Sequence, residues 1–305
     1  MAERIHGVNL SGWFIPETWV SPSLFAATGA ANALELQRAL GPAVYSERLR
    51  HHFETFITED DFRRIAAIGF NSVRIPVPWH VFGAREDAFT NIPAIDYVDR
   101  AIEWAEKYEL SVLLSLATVP GGQGDSNESP TTPESTADWH SSKNGRHVAL
   151  TTLEKLAARY GSAAPLLGIE LLDSPVVSVR KNIFTVTDGI PAHYLRNFYR
   201  DESACDITSP KGISQAIARN RKLLREAASA GFPILVGEWS AAAVLSSASM
   251  TPEGRAAYER VFVSSQLASF DTAWGWYFQA WKTEKRIPAW DARVALAPLE
   301  RAMID

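Results

Sequence analysis

A carboxylate at the end of an apolar, strand-like run is a candidate for nucleophilic or acid/base chemistry. The run ILVGEWSAA, residues 234–242, carries Glu238 between Gly237 and Trp239. A strand-end glutamate is also a frequent partner in ion pairs. Arg74, in NSVRIPV, is the cation whose own strand position would keep Glu238 ionised. Other strand ends offer Asn9, Ser115, Ala117, Asp173, Ser174 and Trp281. Ser174 as a nucleophile would need a His or Lys base, and spacing alone identifies none. The seven histidines include His51, His52, His140 and His147, but no HExxH or similar metal spacing occurs, so no metal and no cofactor is expected. Neither GxGxxG nor GxxxxGK is present, and PGGQG lacks the strand-turn-helix context of a phosphate cradle.

These positions matter only if parallel strands bring their carboxyl ends together. Short β-branched runs alternate with longer amphipathic ones, the pattern of stacked βα units. Strands are predicted over 5–10, 71–77, 111–117, 166–172, 233–239 and 272–281, apolar enough for burial on both faces. Helices are predicted over 95–108, 151–160, 192–203, 213–230 and 252–269, with another starting at the Thr58-Glu59-Asp60-Asp61 N-terminal signature. The Gly-, Ser- and Pro-rich stretch 120–133 reads as a long loop over the active face of a barrel. Six strands are clear where a (β/α)8 barrel needs eight. Between Pro175 and Pro233 there is room for two helices but hardly for two whole βα units. Residues 183–187, and 207–209 in shortened form, are the candidates for the missing strands.

The chain of 305 residues has 46% hydrophobic and 21% charged residues and a formal charge of −5, and it reads as one domain over 1–305. The mild acidity, without a run of Lys or Arg, excludes a phosphate-tracking nucleic-acid binder. The lone Cys205 excludes an internal disulfide framework. Nowhere do ~18 uncharged apolar residues run together, so no membrane span is expected. Residues 1–9 lack the apolar stretch of a secretion signal, and a cytoplasmic location is expected.

Four segments resemble the exo-β-1,3-glucanase branch of glycoside hydrolase family 5. They are GVNLSGWFIPETWVSPSLF (7–25), FITEDDFRRIAAIGFNSVRIPV (56–77), ILVGEWSAA (234–242) and GWYFQAWKTE (275–284). The resemblance implies a TIM-type (β/α)8 barrel, here incomplete or irregular around its fifth and sixth strands. It also implies retaining chemistry by two glutamates. Carried over residue by residue, it puts the nucleophile on Glu238, its supporting arginine on Arg74, and sugar-subsite residues on Glu17 and Trp281. The family's Asn-Glu-Pro, which holds the acid/base, reads Asp173-Ser174-Pro175 here, and its Asp-Leu-His reads Ser115-Leu116-Ala117. Its His-Tyr pair after the sixth strand has no counterpart. Asp173 is shorter than the lost glutamate and one residue away from it, which on a strand would turn it to the opposite face.

Retaining hydrolysis needs two carboxyls ~5–5.5 Å apart. With one carboxyl legible, the favoured expectation is a barrel repurposed for a non-hydrolytic, biosynthetic acid/base reaction on an intracellular small molecule. Cyclisation, dehydration, isomerisation or ring opening would be carried by Glu238 and Arg74, with Glu17, Asp173, Ser174 and Trp281 around the substrate. The alternatives are a retaining β-glucosidase or exo-β-1,3-glucanase with a substitute acid, and a non-catalytic carbohydrate-binding or partner protein. An open barrel wall would expose unpaired backbone groups, which makes a homo-oligomer an option.

Overall fold

The computed structural model describes residues 3–83, 92–120, 143–173, 210–229, 231, 233–242 and 251–297, with the backbone alone of 85–86, 89–90, 210, 252 and 255–256. Six strands form its main sheet: β1 (Ile5–Asn9), β2 (Ser72–Val77), β3 (Ser111–Leu116), β4 (Leu166–Glu170), β5 (Leu235–Trp239) and β6 (Gly275–Phe278). Every pairing in it is parallel, in the order β4-β3-β2-β1-β6-β5. All six coincide with the strands expected from the apolar runs, each within a few residues. The expected strands at 183–187 and 207–209 and the helix at 192–203 fall outside the described residues, as does the loop from 121 onward.

Strand parity separates two cores. Val8, Val73, Ile75, Val112, Leu114 and Phe278 face outward onto helices, where they meet Phe62 and Ile65 of α3 (Glu59–Ala67), and Val98 and Ala101 of α4 (Ile95–Lys107). The start of α3 is a capping box, with Thr58 and Asp61 satisfying each other's exposed backbone donors, as its sequence signature implies. Further helices are α1 (Ala33–Leu40), α2 (Pro42–Thr55), α5 (Lys143–Tyr160), α6 (Pro210–Ala228) and α7 (Pro252–Ser269). The first two were not anticipated. The third begins eight residues before its expected start, because Lys143, Asn144 and Gly145 hide its helical period.

The alternate side chains face inward. Ile5, Leu113 and Tyr277 form a separate buried cluster with Leu167 and Leu235 against them. Leu167 lies on β4 and Leu235 on β5, the two outermost of the described strands. Laid flat, six strands spaced ~4.8 Å apart would hold those edges roughly 24 Å from each other. The sheet is therefore rolled into an incomplete α/β barrel.

Two β-bulges set which side chains enter the barrel. Between β3 and β4 the register passes from Val112↔Leu166 to Leu113↔Gly168, so β4 spends an extra residue. Between β5 and β6 it passes from Val236↔Trp276 to Trp239↔Phe278, three residues of β5 against two of β6. A one-residue slip exchanges the two faces of a strand. Without these bulges Glu170 and Glu238 would point outward at the helices.

Gly7 on β1 leaves the space that the Tyr277 ring occupies: a Cβ there would lie 2.3 Å from Tyr277 Cδ1. Gly7→Ala is expected to cost ~1–3 kcal/mol by overpacking. Urea denaturation should show a smaller loss when the same change is made in a Tyr277→Leu background. Strict additivity would show that the ring is not the obstacle.

Candidate active site

Above the Ile5–Leu113–Tyr277 floor the barrel interior turns polar. Ser72 Oγ and Tyr277 OH share a hydrogen bond of 2.7 Å, and burial pushes the Tyr277 phenol well above its ordinary range, so it stays neutral. One level higher lies Arg74, fully buried, and every nitrogen of its guanidinium is engaged. Nε donates to Glu170 Oε2 at 2.7 Å, and Nη1 to Glu238 Oε1 at 2.6 Å and Asn9 Oδ1 at 3.2 Å. Nη2 donates to Ser115 Oγ at 2.9 Å and pairs with Asp173 Oδ1 at 3.0 Å. Burial alone would lower the Arg74 pKa. The surrounding carboxylates of Glu238, Asp173 and Glu170 outweigh it and hold the pKa above the ordinary value, so the cation is permanent.

Asn9, also buried, orients the second layer. Its Nδ2 donates to Glu238 Oε1 and to Ser11 Oγ, and Ser11 passes a bond of 2.6 Å to the Gln279 carbonyl. Glu238 is therefore held through one oxygen by two donors, from β1 and β2. The side chains of Glu170, Asp173 and Glu238 are 29%, 25% and 25% exposed, so this charge faces a wetted cleft and not a dry interior. Bond lengths within a guanidinium are short, and the contact distances above keep the three carboxylates within roughly 8 Å of one another.

The structure brings Glu238 and Arg74 together as the sequence suggested, joins to them Asn9, Ser115 and Asp173 from the other strand ends, and adds Glu170. The strand β4 stops at Glu170, and Asp173 sits beyond it in a bend whose N–H donates to the Leu116 carbonyl at 2.9 Å. Strand alternation does not apply there. The expectation that Asp173 faces away is therefore corrected. Glu170 was missed, although it is the only charged residue within the apolar run LLGIELL, and a charge in such a run demands a partner.

Trp281 is also corrected. Its indole is 2% exposed and its Nε1 donates to Asp61 Oδ1 at 2.9 Å, while Lys282 Nζ reaches Asp61 Oδ2 at 2.7 Å. The ring locks the chain after β6 to the start of α3 and does not line a subsite. Glu17 lies half-buried on the turn after β1, where its carbonyl accepts from the N–H groups of Val20 and Ser21. Ser174 falls outside the described residues.

Among the described residues no group of three or more His, Cys, Asp or Glu side chains is disposed to hold a metal ion, and no helix is long and apolar enough to cross a membrane. A cavity of about 720 Å³ between the helices Pro210–Ala228 and Pro252–Ser269 is lined by Arg221 and Arg225, and both close on Asp271. Asp271 precedes β6, so this cavity lies toward the opposite end of the barrel from Glu238.

No family model matches the chain. In sequence it is 29% identical to a probable glucan 1,3-β-glucosidase A of Emericella nidulans over 374 residues, 97% of this chain and 89% of that protein. That alignment is longer than the chain itself, so the relative carries dozens of residues with no counterpart here. A glucan 1,3-β-glucosidase of Blumeria graminis is 38% identical over 179 residues, 57% of this chain but only 41% of that protein. The fold is similar to the rutinosidase from Aspergillus niger, with a TM-score of 0.65 and 14% identity over 95% of this chain and 93% of that one. It is also similar to Thermotoga maritima Cel5A, solved with cellobiose, with a TM-score of 0.51 and 13% identity over 97% of each chain. The resemblance to the exo-β-1,3-glucanase branch of glycoside hydrolase family 5 thus extends over nearly the whole chain.

Proposed function

We propose that the protein is a retaining β-glucosidase acting on β-1,3-linked glucan or a chemically similar glucoside, with Glu238 as the attacking carboxylate. The single observation that carries this reading is the arrangement on Arg74. A strand-end glutamate, ion-paired with a buried guanidinium and oriented by Asn9, shares that guanidinium with two carboxylates from the other end of the described sheet. The non-hydrolytic reaction favoured from the sequence rested on the loss of a second carboxyl near Glu238. Glu170 and Asp173 remove that ground, and the glucan 1,3-β-glucosidase relatives favour hydrolysis.

In this reading Glu238 attacks the anomeric carbon while a carboxylic acid protonates the departing oxygen. Water then resolves the glycosyl-enzyme from the same face, which retains the anomeric configuration. The test is glucose release from laminarin, followed by inactivation with a glucoside carrying fluorine in place of the 2-hydroxyl. Release of β-glucose and a stable adduct on the Glu238 peptide are expected. Absence of turnover on laminarin and on an aryl β-glucoside, with no adduct, would overturn the proposal.

A further inference from the structure

The position of the missing acid/base glutamate is Ser174, so some other group must move the proton if the hydrolytic reading above holds. We infer that Asp173 is that group, the acid in the first step and the base in the second. The inference rests on that reading and on three features of the Arg74 cluster.

The first is placement. Substrates of parallel barrels enter at the carboxyl ends of the strands. Glu170 is still within β4, paired level with Ser115, whereas Asp173 lies three residues further toward that face. The second is spacing. Glu238 and Asp173 bind the two terminal nitrogens of one planar guanidinium, Nη1 and Nη2, which acts as a rigid spacer between them. The resulting limit of roughly 8 Å between their bound oxygens takes in the ~5–5.5 Å that a retaining pair requires.

The third is anchoring. The Asp173 N–H bond to the Leu116 carbonyl fixes its backbone against the end of β3, so a short side chain is held where a longer one would otherwise be needed.

The proton and electron accounting closes without a further reactant. In the first step Asp173 gives its proton to the glycosidic oxygen, the C1–O bond breaks with its pair on that oxygen, and a Glu238 oxygen bonds to C1. In the second, ionised Asp173 takes a proton from water, the hydroxide oxygen bonds to C1, and the ester pair returns to Glu238. Asp173 ends protonated and Glu238 ionised, as they began.

The test compares Asp173→Asn, Glu170→Gln and wild type on a laminari-oligosaccharide and on dinitrophenyl β-glucoside, whose leaving group needs no proton. Melting curves check folding, and the smaller Asp173→Ala is expected to behave as Asp173→Asn does. For Asp173→Asn we expect a ~10²–10⁴-fold loss of kcat/KM on the oligosaccharide and less than ~10-fold on the dinitrophenyl glucoside. The alkaline limb of the pH profile should vanish, and azide should restore turnover and yield β-glucosyl azide. A group that only braced Arg74 would produce equal losses on both substrates and no azide product, and that result overturns the assignment. So does the same signature in Glu170→Gln with Asp173→Asn unaffected. Inertness of the wild type on both substrates overturns the hydrolytic reading itself, and the assignment with it.

Discussion

Glu238→Gln is expected to lower turnover by at least ~10³-fold on every glucoside tested, including those with a good leaving group, while the fold stays intact. An amide keeps the shape of the carboxylate and can still occupy the space between Asn9 and Arg74, but it cannot attack the anomeric carbon. The loss should therefore appear in kcat with little change in melting temperature. Equal losses on activated and unactivated substrates separate a nucleophile from an acid, because only the latter is relieved by a better leaving group. Full activity in this variant on any β-glucoside would remove Glu238 from the reaction.

Arg74→Met should have the largest effect on stability, about 3–5 kcal/mol, because it leaves three carboxylates facing one another with no compensating cation. Protonation of any of the three carboxylates would relieve their mutual repulsion, so the loss should be smaller in acid than at neutral pH. Urea denaturation at pH 7 and at pH 4 measures both parts. Arg74→Lys keeps the charge but replaces a planar fork serving Nε, Nη1 and Nη2 by a single ammonium, so an intermediate loss is expected. A variant as stable as wild type at pH 7 would contradict the cluster as described.

The strands were legible because each is a short apolar run bounded by turn residues, and Glu238 and Arg74 because a charge at the end of such a run stands out. What escaped were the consequences of backbone register. Simple alternation along LLGIE or LVGEW gives no sign of an extra residue, yet the bulges in β4 and β5 are what turn Glu170 and Glu238 into the barrel. Asp173 was assigned to the wrong face for a related reason: the apolar run LLGIELL continues past the point where strand pairing ends. The expectation for Trp281 failed because indoles serve as core and as sugar platforms with equal aptness, and only the buried carboxylate of Asp61 tells which. Ala33–Leu40 was unread because its amphipathic period spans only eight residues, and Pro42–Thr55 because polar and charged residues leave it a weak one.

The parallel pairing of β1 with β6 has a bearing on how the chain reaches its native state. Residues Ile5 to Val8 are matched to Gly275 to Phe278, so the central strand of the sheet obtains one of its two neighbours only when almost the whole chain exists. At ribosomal rates of ~5–20 residues per second, that neighbour emerges roughly 13–54 s after β1 itself. During this interval β1 presents an open, apolar edge able to recruit other nascent chains. Pulse-labelled fragments ending before Gly275 should therefore depend on chaperone holding and precipitate without it, whereas fragments extended past Trp281 should become protease-resistant together, in a single cooperative step.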